Sequence, residues 1–370
     1  MKNIIFKLPE YPVTEDIWDR LAREARPIVV YGMGNGADKL FDKLATLGVR
    51  VADIFASDGF VRGHSFRGML VRSFSEITEK YDDFVILLSF ASRREEVLSM
   101  LVEMDEKYDL LIPDMPVADA NEYFDRAFYN RHYSEIREAY ERLEDERSKS
   151  TFASIIRYKL TGRLEYLEGA YSTLDELYGA LPSDNIRSVI DVGAYSGDTI
   201  REMKRYFPNL CDAVAIEPDA KTFKRLMKYA DSETDIHIRT INAAAWREDS
   251  EGAFQASGNR NSSISATPSY ENRSLGVSLI SVDGLDLAPD YIKYDVEGAE
   301  LEALMGSNAT IIRHAPALLV SLYHKSKDIF SLINYLGERY PNYKMTLHRL
   351  RCVPAWEIDL ILTPYGEKSK

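Results

Sequence analysis

Residues 188–199 read SVIDVGAYSGDT, an apolar strand that ends in an acid and a turn with two glycines, followed by a helix. This strand, turn and helix unit is typical of open α/β sheets, which bind ligands at the carboxyl ends of their strands. The spacing of the glycines differs from the GxGxxG pattern of pyrophosphate sites. Asp191 also precedes the first glycine, and an acid there repels phosphate but attracts an ammonium group. The turn therefore predicts a ligand that carries an ammonium group and no phosphate.

The pattern on the C-terminal side of this turn predicts a parallel sheet. Strands and helices alternate, and the chain then ends in two apolar runs without a helix between them. Those two runs should pair antiparallel. A parallel sheet closed by an antiparallel hairpin is more typical of class I methyltransferases than of dinucleotide dehydrogenases. The polar segment 248–272 is compatible with a β-hairpin beside the acceptor cleft or with a mobile lid. The predicted strands are 188–192, 213–216, 236–241, 277–282, 291–294, 317–322, 343–347 and 358–362, with helices at 219–229 and 299–305.

The N-terminal side predicts a second, smaller Rossmann-like domain, because strands and helices alternate there too. Ser73 with Glu76, and Ser92 with Glu95, have the spacing of helix capping boxes. The region that follows lacks β-branched runs and has helical periodicity. We therefore expect an α/β protein with four parts: an arm at 1–26, a Rossmann-like domain at 27–115, a helical connector at 116–185 and a methyltransferase domain at 186–370.

Composition excludes several classes of protein. The 370 residues are 45% hydrophobic and 28% charged, which is a globular rather than a disordered composition. A net charge of −13 with no basic region disfavours nucleic acid as a partner. We expect no membrane span or secretory signal, a cytoplasmic location with reduced Cys211 and Cys352, and a small neutral or cationic acceptor. The tyrosine-rich connector leaves a homodimer possible.

S-adenosylmethionine fits the turn, since it carries an ammonium group and no phosphate. Glu217 follows Gly193 by 24 residues and ends the next predicted strand, where an acid can accept both ribose hydroxyls. Small residues at the end of the third strand would leave room for adenine. The predicted cofactor residues are Asp191, Gly193, Ala194, Tyr195, Gly197, Asp198, Thr199, Glu217, Pro218, Asn242, Ala243, Ala244 and Asp295.

Acidic residues and one histidine indicate where the acceptor binds. Asp295 ends a strand predicted to lie beside that of Asp191, and His324 follows the next strand. An alcohol is a poor nucleophile until its proton is removed, and histidine, with an ordinary pKa near 6.5, is a suitable proton acceptor. We expect His324 to be the base and Asp295 to orient the acceptor. A metal-assisted alternative would use Asp295 and Glu297 as oxygen ligands of a divalent cation.

The motifs in this order resemble the FkbM-type S-adenosylmethionine-dependent methyltransferases. The similarity spans roughly residues 150–364. It rests on residues 191–199, 217–219, 262–264, 292–300 and 323–324. The resemblance implies a bacterial class I methyltransferase that methylates a hydroxyl on a carbohydrate or on a secondary metabolite. Tyr195 stands where many members have asparagine.

Two alternatives remain open. Residues 32–36 read GMGNG, and Asp58 follows Gly34 by 24 residues. This turn is compatible with a nucleotide- or NAD-binding site, and thus with a sugar-modifying enzyme that uses its N-terminal domain. A domain that only positions substrate or mediates dimerisation is equally compatible with such a fold. The second alternative is a non-catalytic protein that binds S-adenosylmethionine.

Overall fold

The computed structural model describes residues 4–57, 59, 61, 63–118, 122–255, 263–265 and 275–365. The chain forms two compact units. Unit 1 holds Met1–Glu141, Asp145–Ser172 and Arg349–Glu357, and unit 2 holds Arg142–Glu144, Thr173–His348 and Ile358–Lys370. Among the residues described, no helix combines the length and the apolar character that crossing a bilayer requires.

Unit 1 is built on a mainly parallel sheet. In the described part, the strand order is β3-β4-β2-β1-β5-β6, and only β3 runs antiparallel to its neighbour. All residues of β1 and β5 are buried, as expected for central strands of a parallel sheet. The strands are β1 (Ile28–Tyr31), β2 (Val51–Phe55), β3 (Ser65–Phe66), β4 (Met69–Arg72), β5 (Val85–Leu88) and β6 (Asp109–Leu111). This sheet confirms the smaller Rossmann-like fold predicted from the sequence.

Helices flank this sheet and fill the region after it. They are α1 (Ile17–Ala22), α2 (Asn35–Thr46), α3 (Phe74–Lys80), α4 (Glu95–Asp105), α5 (Arg126–Arg131), α6 (Tyr133–Arg142), α7 (Glu146–Thr161), α8 (Leu164–Glu168) and, in unit 2, α9 (Leu174–Gly179). The capping box of Ser73 and Glu76 is confirmed. The one predicted at Ser92 is wrong, because α4 begins after Arg94 without a side-chain cap. Ser92 instead pairs with Val353 through two backbone hydrogen bonds, so its backbone is not free to start the helix.

Unit 2 contains a sheet that is parallel except at one edge. Its described strands follow the order β16-β17-β15-β14-β7-β8-β9, and β17 runs antiparallel to β15. The predicted hairpin edge is thus confirmed. The strands are β7 (Ser188–Val192), β8 (Asp212–Ile216), β9 (His237–Ile241), β14 (Tyr291–Tyr294), β15 (Ala317–Ser321), β16 (Tyr343–Arg349) and β17 (Ile358–Pro364). The helices are α10 (Asp198–Tyr206), α11 (Ala220–Ser232), α12 (Glu300–Met305), α13 (Asn308–His314) and α14 (Asp328–Arg339).

The strand order places a crevice between β7 and β14. The chain moves outward from β7 through β8 to β9 on one side, and from β14 to β15 on the other. Ligands of open α/β sheets bind where the strand order reverses in this way, at the carboxyl ends of the strands. The pairing of β7 with β14 sets Asp191 opposite Lys293. Side chains at the ends of both strands therefore meet at one edge of the sheet.

A small second sheet lies within unit 2. Its described order is β10-β13-β11-β12, with β10 (Ala244–Ala245), β11 (Ser250–Gln255), β12 (Ser263–Ser265) and β13 (Leu275–Ile280). β11 pairs antiparallel with both β12 and β13. This pairing favours the hairpin over the lid for segment 248–272, and the predicted strand at 277–282 begins and ends two residues earlier. Residues 256–262 and 266–274, including Ser262 of the family motif, lie outside the described residues.

Candidate cofactor and acceptor site

The turn after β7 needs glycine at two positions. Gly193 has φ +91°, and a Cβ there would lie 1.9 Å from the carbonyl oxygen of Asp295. Gly197 has φ +81° and precedes α10, and its Cβ would lie 2.2 Å from the ring of Tyr229. Side chains at these positions would collide with β14 or α11 and would also strain the backbone. Both glycines are therefore explained by close packing within the fold.

Four backbone N–H groups of this turn donate hydrogen bonds to acceptors within the chain. Those of Gly193 and Ala194 both donate to the carbonyl of Ile216 at 3.0 Å, and that of Gly197 donates to Ala194. The N–H of Tyr195 donates to Glu217 Oε2 at 3.0 Å. Turns between a strand and a helix commonly offer bare N–H groups to a ligand, but the N–H groups of these four residues are occupied within the chain. The carboxylates of Asp191 and Glu217, on either side of the turn, are further candidates for contacts with a ligand.

Asp191, at the end of β7, is the most deeply buried of these carboxylates. Its side chain is 0% exposed, and neither oxygen has a hydrogen-bond partner within the described residues. The closest cation is Lys293, whose Nζ lies 4.0 Å from Asp191 Oδ1. Burial raises the pKa of Asp191 to about 6, although Lys293 opposes the shift. A buried carboxylate with unused acceptor capacity suits a cationic hydrogen-bond donor such as an ammonium group.

Glu217 ends the neighbouring strand and is held by the backbone. Oε1 accepts the N–H of Asp219 at 2.8 Å, and Oε2 accepts that of Tyr195. Burial raises the pKa of Glu217 to about 7, while these two hydrogen bonds oppose the shift. Each carboxylate oxygen can accept a further hydrogen bond, so two hydroxyl donors could bind there. Asp219 also caps α11, as its sequence position predicts.

The other predicted cofactor residues surround these two acids in different ways. Asn242 donates from Nδ2 to the carbonyls of Glu217 at 2.8 Å and Pro218 at 3.2 Å, which ties the ends of β8 and β9 together. Ala243 is buried, whereas Ala244 packs in the core of the small sheet. Room for adenine at Ala244 is therefore not supported. Tyr195 is exposed with φ +47°, and Asp198 and Thr199 open α10.

Asp295, which was predicted to orient the acceptor, lies just beyond the end of β14. Its side chain is 29% exposed, and its Oδ2 accepts a hydrogen bond from Lys293 Nζ at 3.0 Å. The hydroxyl of Tyr323 donates to Oδ1 at 3.2 Å. Burial opposes ionisation, but Lys293 and His324 outweigh it and hold the pKa of Asp295 at about 2. The carboxylate is therefore ionised and oriented by its neighbours.

His324 is enclosed by carboxylates. Its side chain is 0% exposed, with Nδ1 at 2.9 Å from Glu300 Oε1. Nε2 lies 3.5 Å from Asp295 Oδ1 and 3.6 Å from Glu297 Oε2. Burial opposes a positive charge, but Glu300, Asp295 and Glu297 outweigh it and raise the pKa of His324 to about 10.

An imidazole with this pKa carries both of its protons at neutral pH and has no free lone pair. The prediction that His324 takes the proton of the acceptor is therefore not supported by the surroundings of its ring. The residue remains central to the site by position. It joins the carboxylates at the end of β14 to the start of α12.

Three residues of this network lie within the motifs that carry the resemblance but were given no role from the sequence. Lys293 lies between Asp191 and Asp295, which hold its pKa above the usual value although burial opposes the charge. Alternation along β14 could have revealed it, since residues two apart share one face of a strand. Tyr323 and the contact of Glu300 with His324 depend on how separate strands and helices pack. No local pattern signals that packing.

The glycine turn of unit 1 is explained by packing. A Cβ on Gly36 would lie 2.1 Å from the carbonyl oxygen of Ser89, and one on Gly32 would lie 2.8 Å from Phe90. Asp58, the predicted partner of this turn, lies outside the described residues. The two glycines thus need no bound nucleotide to account for them.

Residues 191–344 match the family model of the methyltransferase FkbM domain. The match confirms the resemblance drawn from the sequence motifs over these residues. The family is one of S-adenosylmethionine-dependent methyltransferases. None of the curated proteins compared with the chain matches it.

The crystal structure of methyltransferase FkbM from Methylobacillus flagellatus KT is similar to this chain. The TM-score is 0.69 at 20% identity, over 97% of this chain and 94% of that chain. The similarity confirms the class I methyltransferase fold with its preceding Rossmann-like domain.

Precorrin-6y C5,15-methyltransferase from Geobacter metallireducens GS-15 has a TM-score of 0.33 at 9% identity, over 51% of this chain and 85% of that chain. Fibrillarin from Aeropyrum pernix, with bound S-adenosyl-L-methionine, has a TM-score of 0.31 at 13% identity, over 49% of this chain and 68% of that chain. These two similarities are too weak to support any conclusion.

Proposed function

We propose that this chain transfers a methyl group from S-adenosylmethionine to a hydroxyl of a small acceptor, a carbohydrate or a secondary metabolite. The observation that carries the proposal is the pair of buried carboxylates, Asp191 and Glu217, at the ends of neighbouring strands. They flank a turn whose glycine positions leave no space for side chains. The family match over residues 191–344 supports the same reading.

The two carboxylates fit the two polar ends of this cofactor. Asp191 offers both oxygens without a partner among the described residues, and the ammonium group of the methionine part would supply the missing donors. Glu217 offers one further acceptor position on each oxygen to the two ribose hydroxyls. Burial penalises both carboxylates on their own, so donors at these positions would gain much from binding.

The chain contributes to the reaction mainly by positioning. When bound, S-adenosylmethionine supplies an electrophilic methyl group. Holding the acceptor oxygen in line with that carbon accounts for a large share of the acceleration in such reactions. Asp295 is ionised, partly exposed and fixed by Lys293 and Tyr323, so it can accept a hydrogen bond from the acceptor hydroxyl and orient it. A net charge of −13 favours a neutral or cationic acceptor over a nucleic acid.

Calorimetric titration with S-adenosylhomocysteine tests the cofactor part of the proposal. We expect one site per chain and at least a tenfold loss of affinity in Asp191→Ala and in Glu217→Ala. Asp212→Asn is the matched control, because this exposed acid begins β8, the strand that Glu217 follows. Absence of binding at millimolar ligand, or unchanged binding in both site variants, would overturn the proposal. A second site that survives both substitutions would instead favour the nucleotide-binding alternative in unit 1.

Transfer of a radiolabelled methyl group tests the acceptor class. We expect incorporation into hydroxylated carbohydrates or polyketide-type rings, stable to mild base as an ether is. Tight cofactor binding with no incorporation into any hydroxylated acceptor or cell extract would favour the non-catalytic alternative. Incorporation into nucleic acid would contradict the argument from charge.

A further inference from the structure

Both ring nitrogens of His324 are buried without a hydrogen bond to the described residues, and Nε2 is the one that also lacks a close carboxylate. Nε2 has no hydrogen-bond partner in the part of the chain that the structure describes, although the side chain is 0% exposed. The nitrogen points at two carboxylates, with Asp295 Oδ1 at 3.5 Å and Glu297 Oε2 at 3.6 Å. These separations are too long for good hydrogen bonds. A buried polar atom that faces two acids at this distance calls for a further group between them.

The distances suit a shared cation. Two ligand atoms that each lie about 2.1 Å from one metal ion stand about 3.0 to 3.5 Å apart, depending on its geometry. We propose that Asp295, Glu297 and His324 bind a divalent cation at the carboxyl edge of β14. One ligand atom each from Asp295, Glu300 and His324 also lies within 4.8 Å of the others, so Asp295 and Glu300 converge on this ring.

Glu300 fits the role of a supporting partner through its Oε1, and its Oε2 has no hydrogen-bond partner within the described residues. Its Oε1 already accepts the N–H groups of Val296 at 2.9 Å and Gly298 at 3.3 Å, and it lies 2.9 Å from His324 Nδ1. Metal-binding histidines commonly donate their second ring N–H to a carboxylate, which fixes the tautomer and orients the ring. On binding, the cation would displace the proton of Nε2 to solvent, while Glu300 keeps the proton on Nδ1.

The backbone and the exposure of the acids support a built site. Glu297 has φ +55° and Gly298 has φ +96°. Such a conformation is costly for glutamate and is often found at functional sites. The side chains of Asp295 and Glu297 are 29% and 33% exposed, so the cation would keep positions open to water or acceptor oxygens. Two carboxylates with one imidazole suit Mg²⁺ or Mn²⁺ with water completing the shell.

The chemical role of this cation rests on the proposed function. During transfer, the bond from sulfur to the methyl carbon breaks and its electron pair stays on sulfur, while an oxygen lone pair of the acceptor forms the new bond to carbon. The hydroxyl proton leaves to solvent water. A cation near that oxygen lowers the pKa of the hydroxyl. It would therefore supply the activation that His324, as a ligand of the cation, does not supply.

Mn²⁺ alone tests the site, because its free form gives an electron paramagnetic resonance signal that disappears on binding. The full chain is stripped with chelator and titrated with MnCl₂. We expect one Mn²⁺ per chain, at least tenfold weaker binding in His324→Ala and Glu297→Gln, and about 10- to 100-fold weaker binding in Glu300→Gln. Glu302→Gln is the matched control on α12, since Glu302 pairs with Arg247 away from the ring.

Failure to bind Mn²⁺ at millimolar concentration, or wild-type affinity in Glu297→Gln, would overturn the cation site. Circular dichroism checks that each variant is folded. If His324→Ala unfolds, the Mn²⁺ affinity of Glu297→Gln still tests the site, because Glu297 is partly exposed. Titration of the metal-free chain with S-adenosylhomocysteine separates the two proposals. Cofactor binding without Mn²⁺ binding refutes the cation site alone, and Mn²⁺ binding without cofactor binding refutes the proposed function alone.

Discussion

Asp191→Asn should stabilise unit 2 while it weakens cofactor binding. In the wild-type chain the carboxylate is fully buried and has no hydrogen-bond partner among the described residues, so its charge is unfavourable in the folded state. Lys293 keeps Asp295 as a partner 3.0 Å away when the charge on Asp191 is removed. The substitution therefore relieves a penalty without leaving a buried cation unpaired.

The size of the effect follows from the pKa of Asp191, which burial raises from 3.8 to about 6. Each pKa unit corresponds to about 1.4 kcal/mol, so the charge costs roughly 3 kcal/mol above pH 6. An asparagine amide remains a buried polar group and recovers part of this, about 1 to 2 kcal/mol. At about 2 to 4 °C per kcal/mol for a unit of this size, Tm should rise by roughly 2 to 8 °C.

The raised pKa of Asp191 also determines how the stability difference between the two proteins changes with pH. Because the pKa of Asp191 is higher in the folded than in the unfolded state, the penalty is complete above about pH 6 and fades as the pH falls towards 4. The stability advantage of Asp191→Asn should fade over the same interval. Calorimetric melting of both proteins at several pH values measures it.

Asp212→Asn serves as the control, and we expect it to change stability by less than about 0.5 kcal/mol. S-adenosylhomocysteine should raise the Tm of the wild type and of this control, but not that of Asp191→Asn. A variant at Asp191 that is less stable than the wild type at pH 7 would refute the argument. An advantage that is independent of pH would refute it too.

Three further predictions concern other parts of the chain. Burial raises the pKa of Glu217 to about 7, so affinity for S-adenosylhomocysteine should increase between about pH 6 and 8 in calorimetry. It should increase much less in Glu217→Gln, where only Asp191, with a pKa of about 6, still titrates. Gly197→Ala should lose about 1 to 3 kcal/mol in urea unfolding, because its Cβ would lie 2.2 Å from the ring of Tyr229. Gly179→Ala, with no atom within 4 Å of the added Cβ, should lose nothing, and equal losses would contradict the steric argument. The buried guanidinium of Arg349 donates to four backbone carbonyls of unit 1, so Arg349→Met should lose at least about 2 kcal/mol, and an unchanged urea midpoint would contradict this.

The fold was predictable because its signals are local. Apolar runs of strand length, glycine turns and capping residues mark β7, β8, β14 and β15 with little ambiguity, and the hairpin edge follows from two late runs without a helix between them. Ser92 shows where this method fails. Its capping pattern is present in the sequence. However, the backbone of Ser92 forms an isolated β-bridge with Val353, which lies far along the chain, so Ser92 does not cap the helix.

The candidate site was predictable in part for a similar reason. Asp191, Glu217 and Asp295 each end a strand of one parallel sheet, so topology alone brings them to a common edge. What surrounds each side chain could not be predicted. Glu300 meets His324 only because α12 packs beside the loop after β15, and that contact changes an expected base into an imidazole held among three acids.

Lys293 has a consequence for how the two halves of the site communicate. One ammonium group lies 4.0 Å from Asp191 and 3.0 Å from Asp295, so a single cation is shared between the acid proposed to bind the cofactor and the acid proposed to orient the acceptor. If a ligand neutralises one of the two acids, the ammonium group of Lys293 interacts more strongly with the other acid. Binding of donor and acceptor is then thermodynamically linked, and the linkage must be reciprocal: whatever factor the cofactor imposes on acceptor affinity, the acceptor imposes on the cofactor.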